Sequence, residues 1–226
     1  MQVLVLGSTG LVGDAIVREG LEDARIGSLV AVARRPLQHR HPRLAVVIHE
    51  NFNDFTPLET RLAATDVVLC ALGISWYQAA GEQQYRQITH DYVMACARVA
   101  AVANPALRFC FVSGHGASAT GSQAWARIKA ATETDLEATF GARLTVFRPG
   151  YIAPVDAREK AYWGDTVMRP LLPFRSLLSR WITDSREVAR AVLYAATGGA
   201  VPSPADNRAI VAAAAAYASM RRAVRA

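Results

Sequence analysis

The 226-residue sequence predicts an α/β protein, a doubly wound parallel sheet with helices on both faces and a small C-terminal cap segment. Three observations carry that expectation. Short apolar runs alternate with helical stretches as far as residue 148. The runs are continuously apolar rather than alternating, as strands covered on both faces require. A glycine triplet, Gly7-Ser8-Thr9-Gly10-Leu11-Val12-Gly13, stands directly behind the first run, where a strand must turn into a helix.

Taken in order, Val3–Leu6 is the first expected strand, and the glycine turn and a helix follow it. Leu29–Ala33, Ala45–Ile48 and Val67–Ala71 are the next three strands. Residues 82–103 read as a helix in which Tyr85, Ile88, Tyr92, Cys96, Val99 and Ala103 recur at three- and four-residue steps and line one face. Phe109–Ser113 is the fifth strand and Leu144–Phe147 the sixth. Strand, helix and strand repeated in this way pair in parallel through right-handed crossovers.

Beyond Gly150 the pattern breaks. Residues 151–184 carry Pro154, Pro170 and Pro173, with Tyr162, Trp163, Phe174 and Trp181 among arginines. We read this segment as a cap packed near the carboxyl ends of the strands, where ligands sit in such sheets. A basic amphipathic membrane contact or a subunit interface would use similar residues. Asp184 is the expected N-cap of the next helix, with Glu187 three residues on. No repeat, low-complexity linker or second domain interrupts residues 1–226, which read as one domain.

A chain of this length buries roughly 70–75% of its unfolded surface, so the core needs no staples. Cys70, Cys96 and Cys110 form an odd set without metal-ligand spacing and read as reduced, buried, small apolar residues; neither a metal site nor a disulfide is expected. The first residues lack a signal-peptide pattern. The longest apolar runs, such as residues 210–218, are about half the ~20 residues a membrane helix needs. A soluble, cytoplasmic chain with no membrane span is the resulting expectation. The net charge of +6 gathers partly in residues 34–43 and partly in 221–225. Without a helix-turn-helix, zinc or RNP pattern, nucleic acid is not an expected partner. Arginines in the last turn of an alanine-rich helix complement its dipole. Arg40 and Arg43 read as solvated.

The glycine triplet has a physical task. The first glycine permits the turn, the second lets backbone approach a pyrophosphate, and the third lets helix pack closely on strand. The helix N-terminus then offers unpaired N–H groups to phosphate oxygens. The end of the second strand bears on which dinucleotide binds. An Asp or Glu there would hold the ribose hydroxyls of NAD, whereas this chain has Arg34 and Arg35. A carboxylate repels a 2′-phosphate and a guanidinium binds it with paired hydrogen bonds, so NADP(H) is expected over NAD(H).

With "GSTGLVG", "VARRP", "ALG", "VSGHGA", "WARIK" and "FRPG" in this order, the chain resembles the short-chain dehydrogenase/reductase superfamily. More closely, it is similar to the atypical branch of NmrA-like and Tat-interacting-protein-like NAD(P)-binding proteins, whose sheet is of Rossmann type. The resemblance covers about residues 3–200 and implies a set of site residues. It puts Asp54 and Phe55 beside the adenine, and lines the cofactor with Ala71, Leu72 and Gly73. Pro149, Gly150, Tyr151 and Ile152 would flank the nicotinamide. Ser113 would match the family's serine, which polarises a substrate carbonyl, and Lys129 its lysine, which binds the nicotinamide ribose.

One position departs from the family pattern. Where the family has the tyrosine that transfers the proton, this chain has Trp125. Indole N–H only donates and does not titrate in the working range, so tryptophan cannot perform that transfer. Hydride transfer could then draw its proton from His115, two residues beyond Ser113, or from Tyr151 on the nicotinamide loop. Alternatively the protein binds NADP(H) without turnover and reports redox state. An empty scaffold is opposed by the intact glycine motif. The ligand of the remaining site is expected to be a small hydrophobic or anionic molecule, and a monomer or a homodimer fits the sequence equally.

Overall fold

We describe a computed structural model of the chain, covering residues 1–155 and 181–225. Six strands form one parallel sheet: β1 (Gln2–Leu6), β2 (Ser28–Ala33), β3 (Leu44–Ile48), β4 (Val67–Cys70), β5 (Arg108–Val112) and β6 (Leu144–Phe147), in the order β3-β2-β1-β4-β5-β6. The expected strands match these within a residue at either end. The order reverses between β1 and β4, the crevice where open α/β sheets bind ligands outside the carboxyl ends of their strands.

Helices α1 (Leu11–Leu21), α2 (Glu59–Ala63), α3 (Glu82–Arg86), α4 (Tyr92–Ala103), α5 (Ala124–Phe140), α6 (Ser185–Ala196) and α7 (Asn207–Arg225) cover the sheet. Strand side chains alternate between two cores. Val3, Val5, Leu29 and Ala31 pack with α1, α6 and α7 on one face. Leu4, Leu6, Val30 and Val32 pack with α2, α4 and α5 on the other. Both faces of each central strand are therefore dry, which explains the unbroken apolar runs.

The helical stretch at 82–103 differs from expectation. A π turn, Gln87–Asp91, separates α3 from α4. Its wider turn shifts the buried face to Thr89, Val93, Met94, Ala97 and Ala100, alongside Tyr85 and Cys96. Ile88, Tyr92, Val99 and Ala103 are left only half-buried. Arg43 also departs from its expected solvated role. Its guanidinium donates to the carbonyl oxygens of Asp23 (2.7 Å), Leu21 and Ile26, tying the loop before β3 to the end of α1.

After β6 the chain forms a second, two-stranded parallel pair, β7 (Tyr151–Ala153) with β8 (Ile182–Asp184). Most of the expected cap, residues 156–180 with Pro170, Pro173, Tyr162, Trp163 and Phe174, lies outside the described residues. Asp184 caps α6 as expected: its carboxylate accepts the Glu187 N–H at 2.8 Å, and Glu187 reciprocates at the Asp184 N–H at 3.0 Å. The outer edge of β6 is covered by residues 203–205, where Ala205 donates its N–H to the Val146 carbonyl at 2.8 Å.

Candidate functional site

The turn after β1 leaves no room for side chains at two of its glycines. Gly7 has a φ of 80°, and a β-carbon there would stand 2.6 Å from the Ala71 backbone. A β-carbon on Gly13 would stand 2.0 Å from the Gly7 carbonyl oxygen, so α1 could not seat against the turn. Gly10 is the N-cap of α1 and has no side chain to satisfy the first-turn N–H groups. Those groups stay available to an anion, and the helix dipole adds partial positive charge. Ser8 is buried, Thr9 and Gly10 are exposed, Leu11 is half-buried and Val12 joins the core. The turn thus keeps the Ser8 and Val12 side chains inward and leaves the Gly10 backbone exposed, which fits a pyrophosphate.

Around this turn the carboxyl ends of the strands bring most of the candidate residues together. Ala71 continues β4 by donating its N–H to the Leu6 carbonyl at 3.0 Å, and Leu72 and Gly73 follow it beside Gly7. Arg34 and Arg35 are exposed directly after β2 and make no ion pair among the described residues. Asp54 is exposed and accepts the Thr56 N–H at 2.9 Å; the Thr56 hydroxyl first, and that N–H second, hold its carboxyl below the usual carboxylate range. Phe55 is 1% exposed and packs its ring against His49 and Phe52, so its side chain belongs to the core rather than to an open adenine face.

Helix α5 supplies the other side. Trp125, Lys129 and Glu133 recur at four-residue steps and so share one face. Trp125 lies beneath the loop after β5, its ring 3.2 Å from the β-carbon position of Gly116. Lys129 Nζ lies 3.8 Å from the β-carbon position of Gly73 and 5.3 Å from the Phe111 ring centroid. Part of Lys129 reaches solvent, but its ammonium sits among apolar neighbours. Burial pulls it down to about 8, against the opposing pull of Cys70 and Glu133. Lys129 is thus set against the loop that follows β4.

Ser113 is 7% exposed at the end of β5, and its hydroxyl donates to Glu133. The same carboxylate receives Arg148, whose Nε lies 3.1 Å from each oxygen. With its proton committed to Glu133, Ser113 offers lone pairs to the site rather than a donor. Sequence reasoning passed over Glu133 and Arg148, although Glu133 stands four residues beyond Lys129 and Arg148 lies within the quoted "FRPG". A cleft of about 590 Å³, lined by Glu133, Glu137, Val146, Ser203 and Pro204, opens beside this pair.

The remaining candidates form the rim. His115 is exposed, its N–H donates to the Pro149 carbonyl at 2.8 Å, and its ring meets Trp181 edge-on at 5.1 Å. Pro149 is buried and Ile152 half-buried. Gly150 donates its N–H to Asn207 at 2.9 Å and is pressed against the Trp181 carbonyl, 2.3 Å from its β-carbon position. Tyr151 is half-buried and hydrogen-bonds through its N–H to Trp181. Among the described residues, no cluster of His, Cys, Asp and Glu is placed to hold a metal. The three cysteines are buried; desolvation pushes Cys70 and Cys110 up to about 12 and Cys96 well above its ordinary value. None of them is a thiolate nucleophile at neutral pH.

A parallel sheet of this order with a glycine cradle at its switch point defines a dinucleotide-binding α/β protein. The sequence profile described as NAD(P)H-binding matches residues 7–167, and the chain belongs to that family. It is 31% identical over 153 residues to "Protein FMP52, mitochondrial" of Eremothecium gossypii, covering 67% of this chain and 66% of that one. It is 26% identical to the Aspergillus clavatus protein of the same name, covering 91% and 92%. Rat "Protein HTATIP2" is 27% identical over 79% of this chain and 72% of its own. Among solved structures, a short-chain dehydrogenase/reductase superfamily protein from Agrobacterium tumefaciens with bound NAD shares the fold with a TM-score of 0.64 at 18% identity, covering 94% and 81%. UDP-glucuronic acid 4-epimerase from Bacillus cereus does so at 0.64 and 13%, covering 86% and 73%.

These relatives correct one expectation. The cytoplasmic placement does not stand, because the FMP52 relatives are named mitochondrial proteins. No helix among the described residues is long and apolar enough to cross a membrane.

Proposed function

We propose that this chain is an NADP(H)-binding oxidoreductase in which proton transfer does not run through position 125. The observation that supports the reading is that the Gly7–Gly13 cradle follows β1, Arg34 and Arg35 are exposed directly after the neighbouring β2, and Lys129 lies beside Gly73. Bound there, the nicotinamide supplies or accepts a hydride. The chain's own residues do the rest. First-turn N–H groups of α1 hold the pyrophosphate, Arg34 and Arg35 take the 2′-phosphate, and Lys129 holds the nicotinamide ribose. Trp125 lends an indole face to the site and no proton. His115 and Tyr151 stand on the rim as proton donors, with the ligand a small hydrophobic or anionic molecule.

A second reading, a non-catalytic redox sensor, is favoured by Ser113: its hydroxyl proton is given to Glu133, leaving a substrate carbonyl without that donor. Trp125→Tyr separates the two. A gain in NADPH-dependent reduction across a panel of aldehydes, ketones and quinones supports the oxidoreductase. No gain with any of them supports the sensor. Binding is tested first, by titrating the protein with NADPH and NADH while following tryptophan fluorescence. NADPH should bind more tightly, and Trp125→Phe should remove most of the quench. Failure of both nucleotides to bind at micromolar levels would sink both readings.

A further inference from the structure

The loop after β2 is tied to α1 by a contact that spans 25 residues of sequence: His39 Nε2 lies 2.6 Å from Asp14 Oδ1. Asp14 follows Gly13 in the first turn of α1, close to the N–H groups that face the cofactor phosphates. A carboxylate suits a helix N-terminus but repels the phosphates of a dinucleotide, so its presence there calls for a compensating role. Arg18 meets its other oxygen at 3.1 Å from within the same helix, whereas His39 reaches it from the loop. That loop has a second anchor, since Leu37 packs against the core beside α1. Between the end of β2 and these two anchors it presents Arg34 and Arg35, exposed and without an ion pair among the described residues.

We propose that the His39–Asp14 contact is a latch that sets cofactor preference. It fixes the short loop across the first turn of α1, so that Arg34 and Arg35 are already placed when a 2′-phosphate arrives. The inference rests on the NADP(H) reading above. His39 is a positioning residue: it acts on the phosphate through the arginines, by cutting the ordering cost of the loop. NADH has no 2′-phosphate and gains nothing from the latch.

The test is a titration of the full chain with NADPH and with NADH, for the parent protein, His39→Ala, Asp14→Ala and Arg18→Ala. His39→Ala should weaken NADPH about tenfold and leave NADH within about twofold, which is a loss of preference rather than of binding. Asp14→Ala discriminates by sign. If Asp14 mattered only as a charge, its removal would tighten NADPH; as the latch partner, its removal loosens NADPH. Arg18→Ala should leave the ratio of the two affinities unchanged. The latch is overturned if His39→Ala keeps the parent ratio, if Asp14→Ala tightens NADPH, or if His39→Gln, which retains a donor for Asp14, fails to restore preference. A parent protein that binds NADH as tightly as NADPH would instead remove the reading beneath it.

Discussion

A β-carbon at Gly13 would overlap the Gly7 carbonyl, so Gly13→Ala must lift α1 from the turn or distort it. The variant should lose about 1–3 kcal/mol of stability and at least about tenfold in NADPH affinity, measured by thermal melting and fluorescence titration. Lys129 gives a prediction in pH. Its ammonium is held at about 8, against an ordinary value of 10.5. Between those values the unfolded chain keeps the proton more fully than the folded one, so stability rises with pH across the window, and the penalty is complete below it. Lys129→Met should therefore stabilise the apoprotein at pH 7 by at most about 3 kcal/mol, with solvent contact reducing that figure. The advantage should fade from pH 8 to 10.5, as followed by chemical denaturation. Glu133 pulls Lys129 upward, so Glu133→Gln should move the lysine titration, read by side-chain NMR, below its parent position.

Among the elements, α6 shows how far local sequence reaches. The Asp184-Ser185-Arg186-Glu187 pattern predicted a capping box, and both reciprocal hydrogen bonds form. Asp184→Ala should cost about 1 kcal/mol and lower Tm by about 2–4 °C, checked by calorimetry. The strands were legible for the same reason: each is short, apolar throughout and flanked by turn residues. Helix 82–103 was legible as a helix but only in part in its buried face: Tyr85 and Cys96 are buried, while Tyr92, Val99 and Ala103 sit at its margin. The π turn at Gln87–Asp91 adds a residue to one turn, and a pattern counted at a constant 3.6 residues per turn then loses phase. The pairing of β7 with β8 was likewise outside the pattern, since strands of three residues carry too few side chains to show a period.

For the whole molecule, one buried carboxylate links the helices of one face. Glu19 on α1 is 7% exposed and meets Arg186 at 3.3 Å, Arg190 at 2.9 Å and Arg221 at 2.9 Å, from α6 and α7. Arg221 also reaches Glu22 at 2.8 Å, so this basic residue of the C-terminal run joins helices, a task beyond complementing its own dipole. Glu19→Ala should cost about 3 kcal/mol, because it leaves three guanidinium groups without their shared partner. Since α1 carries the cofactor turn, NADPH affinity should fall along with Tm. A variant with unchanged melting would show that the helix layer holds by apolar packing alone.

The sequence by itself determined the sheet, its strands, the glycine turn and hence the cofactor class, because these depend on residue types that are neighbours in the chain. Only the tertiary structure decided which polar groups meet. Ser113, Glu133 and Arg148 belong to a strand end, a helix and a loop, and their hydrogen bonds exist only once α5 lies against β5 and β6. His39 reaches Asp14, Arg43 reaches the end of α1, and Phe55 turns into the core for the same reason. Periodicity reports which face of an element is dry. The partner of a buried polar atom is fixed by packing across tens of residues, where no local pattern carries the information.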